Sequence, residues 1–138
     1  GLAAALTTIR ELKRRRSEPF FEQMGEKIRT TMNQALSDAG VPGRCTGLSA
    51  CPALTLELPD PALTPLVSTL FIQEMAKRGI HTATSFRVTM AHTEEDIQIL
   101  GEGATEVLQI IKAGLEQGNL EDLLTCDLKK EPFRRLVR

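Results

Sequence analysis

The strongest constraint on the fold is one long apolar stripe in the last third of the sequence. Its members recur at spacings of three and four residues: Ile97, Leu100, Ala104, Val107, Leu108, Ile111 and Leu115. This period is typical of an amphipathic helix with one face on a core. The preceding Thr93-Glu94-Glu95-Asp96 has the form of a capping box, and Gly118 is expected to end the helix. A helix of about 36 Å results at 1.5 Å per residue.

Three further helices are expected. Residues 2–16 carry a helical stripe and end in a basic run: Leu2, Leu6, Ile9 and Leu12, then Lys13–Arg16. The next helix begins after Ser17, the expected N-cap, and ends at Gly40. Another begins at Thr64-Pro65, with Thr64 as the expected N-cap, and ends at Gly79.

The remaining patterned segments favour strands. They are Gly43–Leu48, Ala53–Leu58, Ile80–Thr82 and Phe86–Met90, of which Ala53–Leu58 alternates most clearly. Alternation of apolar and polar residues is typical of a half-buried strand. The order of elements predicts an α+β fold, in which helices cover one face of a small, mostly antiparallel sheet of three to four strands.

Charge and length exclude several classes of function. The formal net charge of -1 gives no overall attraction to nucleic acid or to a membrane surface. No apolar run approaches the length that spans a bilayer. The basic run Lys13–Arg16 is interpreted as a solvated helix end, and weak binding of nucleic acid through it is the poorest alternative.

Polar residues cluster between His81 and Ile97 without forming a recognisable catalytic or metal site. Glu94, Glu95 and Asp96 are consecutive and point in different directions, so a capping role explains them better than metal binding or acid–base chemistry. His81 and His92 lack a zinc-like spacing and are assigned packing or surface roles. We therefore expect no catalytic, cofactor-binding or metal-ligating residue in the chain.

The cysteines Cys45, Cys51 and Cys126 are odd in number and match no zinc pattern. They are interpreted as reduced, small apolar residues of a cytoplasmic protein. Cys45 and Cys51 flank a turn and can pair in oxidising solution.

Two stretches carry a resemblance to a known family. AALTTIRELKRRRSEPFFEQMGEKIRTTMNQALSDAGVP resembles the start of the C-terminal small domain of class III aminotransferases, which are fold-type I enzymes that use pyridoxal phosphate. HTATSFRVTMAHTEEDI resembles the late part of that domain. The resemblance covers about residues 2–117. It implies residues 1–16 as an interdomain helix, 17–125 as the small domain and 126–138 as a charged tail.

Within this family the chain looks most like glutamate-1-semialdehyde 2,1-aminomutase and its relatives. Ordinary members carry an arginine eight residues before the helix-capping threonine, and it binds the α-carboxylate of the substrate. Ser85 stands at that position here. The resemblance therefore implies that Ser85 and Phe86 face the substrate. Arg87 can replace the missing arginine only if the backbone register shifts.

The resemblance also implies a larger parent enzyme. The start at Gly1, already in helical rhythm, favours a piece cut from a longer chain. A large domain of the same parent chain would bind pyridoxal phosphate through a lysine absent here, and the parent would be a cytoplasmic homodimer. The piece itself would bind no cofactor, would be inactive alone and would self-associate through the helix at residues 2–16.

A second hypothesis from another class stays open. Short strands with amphipathic helices are common, so the alternative is a stand-alone α+β protein-interaction module without catalytic activity.

Overall fold

The computed structural model describes residues 1–129, which form four α-helices and a two-stranded antiparallel sheet. In chain order the elements are α1 Leu2–Arg15, α2 Glu18–Ala39, β1 Gly43–Leu48, β2 Cys51–Leu56, α3 Thr64–Lys77 and α4 Glu94–Gln117. Short 3₁₀ turns at Pro61–Leu63 and Leu120–Leu123 flank α3 and α4. The α+β class and all four helices are thus confirmed. Residues 130–138, most of the predicted tail, lie outside the described residues.

The long stripe of α4 is buried against α2 and α3, as its period predicts. The centre of the core consists of fully buried side chains from these helices: Met32, Leu70, Phe71, Met75, Val107, Leu108 and Ile111. α2 also packs tightly on the turn between the strands. A Cβ added at Gly25 would lie 2.1 Å from the backbone oxygen of Ser49, so only glycine permits this approach. α2 is therefore the helix that packs on the sheet, and the turn between the strands is fixed to it.

The predicted capping box at the start of α4 is confirmed. The Thr93 hydroxyl accepts a hydrogen bond from the Asp96 N–H at 3.3 Å, and the Asp96 carboxylate accepts from the Thr93 N–H at 2.7 Å. Gly40 and Gly118 end α2 and α4 in the left-handed conformation, with φ of 63° and 67°. The two other predicted N-caps differ from the expectation, and α3 ends at Lys77 with Arg78, not Gly79, as its C-cap. Ser17 occupies the N-cap position of α2 without a side-chain capping bond, and Leu63, not Thr64, precedes α3.

The expected sheet of three to four strands is not confirmed, because β1 and β2 are the only segments of residues 1–129 that form a ladder. Residues 80–82 and 86–90 form no strand. Residues 84–88 nevertheless run beside β2: the Leu54 N–H donates to the Thr84 carbonyl at 2.7 Å, and the Phe86 N–H donates to the Pro52 carbonyl at 2.8 Å. The reciprocal bond, from residue 52 to the Phe86 carbonyl, cannot form because Pro52 has no N–H to donate. Pairing is thus limited to a single bridge between Ala53 and Ser85.

α1 differs from the other helices because it buries none of its residues. Leu2 is 91% exposed, and Leu6 and Ile9 are about half exposed. The chain turns into α2 through Arg16, which adopts the left-handed conformation with φ 49°. The apolar face of α1 therefore stays uncovered by residues 1–129.

Candidate functional site

The two residues predicted to face a substrate lie on the segment beside β2. Phe86 and Val88 point into the core, and Phe86 is only 5% exposed. Ser85 is half-buried and Arg87 is exposed. Because side chains alternate along an extended segment, Ser85 and Arg87 point away from the core, opposite to Phe86. Ser85 is thus partly accessible to solvent, whereas Phe86 packs in the core.

A cavity of about 340 Å³ opens next to this segment, between α2, α4 and the chain after α3. Its floor is apolar and its rim is polar. The floor contains Ile28, Ile80, Phe86, Ile97 and Leu100, and the rim contains His81, Thr82, Arg87, His92 and Asp96. The cavity brings together both histidines of the chain and one arginine. The clustering of polar residues between His81 and Ile97 was visible in the sequence, but their arrangement around one cavity was not predicted from it.

Hydrogen bonds fix the orientation of His92 at the rim. Its Nδ1 accepts from the Thr89 N–H at 3.1 Å. A neutral imidazole with an accepting Nδ1 carries its proton on Nε2, which is then a donor. His92 therefore offers an N–H group in both of its protonation states.

Of the acidic triplet at the start of α4, Asp96 has the predicted capping role. A hydrogen bond from the Thr93 backbone, followed by one from its hydroxyl, lowers the pKa of Asp96. Glu94 forms an ion pair with Lys27 of α2, and Glu95 is exposed. Within residues 1–129, no group of three His, Cys, Asp or Glu side chains is placed to hold a metal ion.

The three cysteines are free thiols. The sheet register places Cys45 opposite Leu54 and Cys51 opposite Leu48, so the two cysteines are not cross-strand partners. Burial raises the pKa of the Cys45 thiol to about 11. Since the thiolate is the reactive form, Cys45 is a packing residue at neutral pH.

The basic run at the end of α1 is partly neutralised within its own helix. Glu11 accepts hydrogen bonds from both Arg14 and Arg15, and these bonds lower the pKa of Glu11 to about 2. The arrangement is that of a solvated helix end with local ion pairs, and such surface pairs contribute little to stability. A phosphate-binding surface at this run gains no support from the geometry.

Structural comparison finds relatives of this fold. An omega-transaminase from Sphaerobacter thermophilus is similar over 64% of this chain and 23% of its own, with 18% sequence identity and a TM-score of 0.57. A transaminase with PLP bound is similar over 70% of this chain and 24% of its own, with 20% identity and a TM-score of 0.60.

A third similar structure is the PLP internal aldimine form of the FumI protein from Sphingopyxis sp. MTA144. It matches 75% of this chain and 25% of its own, with 15% identity and a TM-score of 0.60. The chain thus spans about a quarter of the length of these proteins and shares the fold of that part. No model of a protein family and no curated protein sequence matches the chain.

Among the helices of residues 1–129, none combines the length and apolar character that crossing a bilayer requires.

Proposed function

We propose that this chain is the small domain of a PLP-dependent aminotransferase, and that it closes over an active site whose cofactor is bound by a large domain of the same parent chain. The observation that carries the proposal is the fold: most of this chain superimposes on about one quarter of each of three transaminase structures. In such an arrangement the small domain orients the substrate and shields the reaction from water.

Residues 1–129, which the structure describes, do not themselves fit a PLP site. The cofactor needs a lysine for its Schiff base in a shielded pocket. Lys27 and Lys77 are held in ion pairs with Glu94 and Glu74. The other lysines of residues 1–129 also lie away from the cavity beside Arg87: Lys13, Lys112 and Lys129. We therefore assign the chemistry of amino transfer to a cofactor held elsewhere in the parent, and only substrate positioning to this chain.

α1 is the surface assigned to contact the large domain. Its apolar side chains are exposed, whereas those of the other helices enter the core. An uncovered apolar stripe on a helix is a typical interaction surface. Without the large domain, two copies of the chain are expected to cover each other's stripe. The parent itself is proposed to be a homodimer in the cytoplasm.

Among PLP enzymes of this fold, the proposal favours a 2,1-aminomutase. It rests on Ser85, which stands where ordinary class III members have a carboxylate-binding arginine. An arginine can bind a carboxylate by two parallel N–H donors. The half-buried Ser85 hydroxyl offers one O–H donor and an acceptor oxygen in its place. A mutase moves the amino group within one substrate molecule. It therefore forms product from the amino compound alone, whereas a transaminase needs a separate keto acid as acceptor.

Ser85→Ala in the natural full-length protein tests the positioning role. We expect the variant to retain PLP, with its visible absorbance unchanged, and to show a raised KM for the amino substrate. Ser37→Ala, at an exposed position of α2, is the matched control and should leave both properties unchanged. A natural protein that binds no PLP would overturn the proposal as a whole. Unchanged kinetics in Ser85→Ala would remove only the assignment of Ser85.

A stand-alone interaction module is the second candidate. Two observations favour it: the apolar stripe of α1 is exposed, and the lysines of residues 1–129 do not fit a Schiff base with PLP. The intact mass of the natural gene product distinguishes the two, because a module would be no larger than this chain.

A further inference from the structure

A second cavity lies between α3 and β2. α3 packs on α4 and on the two 3₁₀ turns, but toward β2 it leaves a space of about 230 Å³. This α3–β2 cavity is lined by residues of the ranges 54–58 and 64–71 and by Thr84, and it shares no residue with the cavity beside Arg87. Ser85 is also outside its lining, so the proposed function does not account for it.

Each lining segment directs one face into the α3–β2 cavity. From α3 come positions 64, 67, 68 and 71, whose spacing places them on one side of a helix. From β2 and the residues after it come the alternating Leu54, Leu56 and Leu58, which lie on one side of an extended chain. Thr84 lies beside Leu54, whose N–H donates to the Thr84 carbonyl at 2.7 Å, and it shares its side of the segment with the buried Phe86. These side chains therefore meet in one space.

The floor of the α3–β2 cavity is apolar, and its volume suits a single ring. Leu54, Val67 and Phe71 are each at least nine-tenths buried. An engineered protein cavity of about 150 Å³, lined by similar side chains, takes up benzene. Pockets for drug-sized ligands typically begin at about 300 Å³. A cavity of about 230 Å³ therefore fits one ring with a small substituent.

Two hydroxyl groups in the lining are available to a ligand. The Thr64 hydroxyl is engaged, because it donates to the Pro61 carbonyl at 2.8 Å. The hydroxyls of Ser68 and Thr84 make no hydrogen bond within residues 1–129, and both residues are half-buried at the cavity. A hydroxyl can donate one hydrogen bond and accept others. Ser68 and Thr84 can therefore pair with a hydroxyl group of a ligand.

The lining of the α3–β2 cavity disfavours a charged ligand. No charged residue of the range 1–129 lines it, whereas Arg87 and Asp96 line the other cavity. A carboxylate or an ammonium group that entered would lose its water without gaining an opposite charge, which is unfavourable. The cavity is therefore unsuited to the keto acid that a transaminase needs as acceptor.

We propose that the α3–β2 cavity binds a small uncharged phenol, whose ring rests on Leu54, Val67 and Phe71 and whose hydroxyl bonds with Ser68 and Thr84. The site consists of residues of this chain alone and goes beyond the proposed function. Binding should therefore be measurable without PLP and without a second domain. A natural protein that binds no PLP would leave this site unaffected.

Titration of the intact chain with phenol at neutral pH, where phenol keeps its proton, tests the site by two-dimensional NMR. We expect saturable shifts centred on residues 54–58, 64–71 and 84, and unchanged signals from α1. Benzoate keeps the ring and replaces the hydroxyl by a carboxylate, so it should bind at least tenfold more weakly than phenol.

A double variant separates the hydroxyl groups from the apolar floor. Ser68→Ala with Thr84→Val should weaken the binding of phenol at least fivefold, because two hydrogen bonds are lost. The same variant should bind toluene, which has no hydroxyl, within twofold of the unchanged chain. Ser37→Ala with Thr46→Val, at exposed positions outside the cavity, is the matched control and should bind both probes as the unchanged chain does.

Three results would each overturn the proposal. The first is that phenol gives no saturable shifts, or gives them away from the cavity. The second is that benzoate binds as tightly as phenol, a comparison that uses the unchanged chain and does not depend on the folding of a variant. The third is that the double variant, folded by its unbound spectrum, binds phenol as tightly as the unchanged chain.

Discussion

The side-chain amide of Asn33 holds the backbone of Cys45 by two hydrogen bonds. Its Oδ1 accepts from the Cys45 N–H at 2.8 Å, and its Nδ2 donates to the Cys45 carbonyl at 3.2 Å. Within residues 1–129, β1 pairs with β2 on one side and with no strand on the other, so Cys45 lies on an edge of the sheet. Asn33 of α2 thus acts as the missing strand at that edge, and it ties α2 to the sheet. Backbone groups satisfied in this way do not pair with another chain.

Asn33→Ala should therefore destabilise the fold by about 1–3 kcal/mol, because two backbone groups of a buried residue lose their partners. Chemical denaturation with urea measures the change. Gln34→Ala is the matched control: Gln34 is exposed and bonds only Asp38, so its loss should change the free energy of unfolding by less than about 0.5 kcal/mol. Equal effects of the two substitutions would contradict the role assigned to Asn33.

Gly25→Ala should destabilise the chain although alanine is the better helix former. On helix propensity alone the substitution would stabilise α2 by roughly 1 kcal/mol. The added Cβ would instead lie 2.1 Å from the Ser49 oxygen, a backbone atom that cannot move without distorting the turn between the strands. We expect a net loss of about 1–3 kcal/mol, as for other overpacked sites. A higher melting temperature would show that the turn does not pack on α2 in this way.

The capping box predicts a dependence of stability on pH. The pKa of Asp96 is lowered in the folded chain by its hydrogen bonds to Thr93. The ionised Asp96 carboxylate therefore adds to the free energy of unfolding. This stabilisation is fully present above the ordinary aspartate pKa, about 3.9. It is lost as the pH falls through the lower pKa that Asp96 has in the folded chain. Thr93→Ala removes the hydroxyl bond and keeps the backbone N–H, which is the larger cause, so an NMR titration should show only a partial return of the Asp96 pKa toward its ordinary value. A complete return, or no change at all, would contradict this division between backbone and hydroxyl.

The exposed stripe of α1 predicts self-association of the isolated chain. Replacing Leu6 and Ile9 together by lysine should shift the chain to monomer in sedimentation equilibrium and reduce binding of a hydrophobic dye. Lysine at Thr7 and Thr8, which bond only backbone carbonyls of α1, is the matched control and should leave association unchanged. A chain that is monomeric before any substitution would contradict the self-association.

Local signals explain which parts of the fold could be predicted from the sequence. Each of the confirmed helix signals acts within its own helix, so its local pattern was sufficient to predict it. These signals are the stripe and capping box of α4 and the terminal glycines Gly40 and Gly118. The pairing of residues 84–88 depends on a proline in another strand: the missing N–H of Pro52 restricts it to one bridge, and nothing near Phe86 reveals this. Thr64-Pro65 had the form of a capped start, but the preceding 3₁₀ turn moved the helix boundary to Leu63.

The candidate site was predictable only in part, for the same reason. Ser85 and Phe86 were named through a resemblance, and their roles toward a substrate remain predictions. The cavity of His81, Arg87 and His92 depends on how the chain after α3 folds back onto α2 and α4. Its floor comes from three separate segments, so no single stretch of sequence carries the signal.

The most direct test of the proposed function is the visible absorbance spectrum of the purified natural gene product that contains this chain, recorded together with its intact mass. A PLP-dependent enzyme with this chain as its small domain predicts a product several-fold heavier than the 15.2 kDa of the chain, with the absorbance of one PLP Schiff base per polypeptide. A product of about the mass of this chain, with no visible absorbance after incubation with PLP, would contradict it.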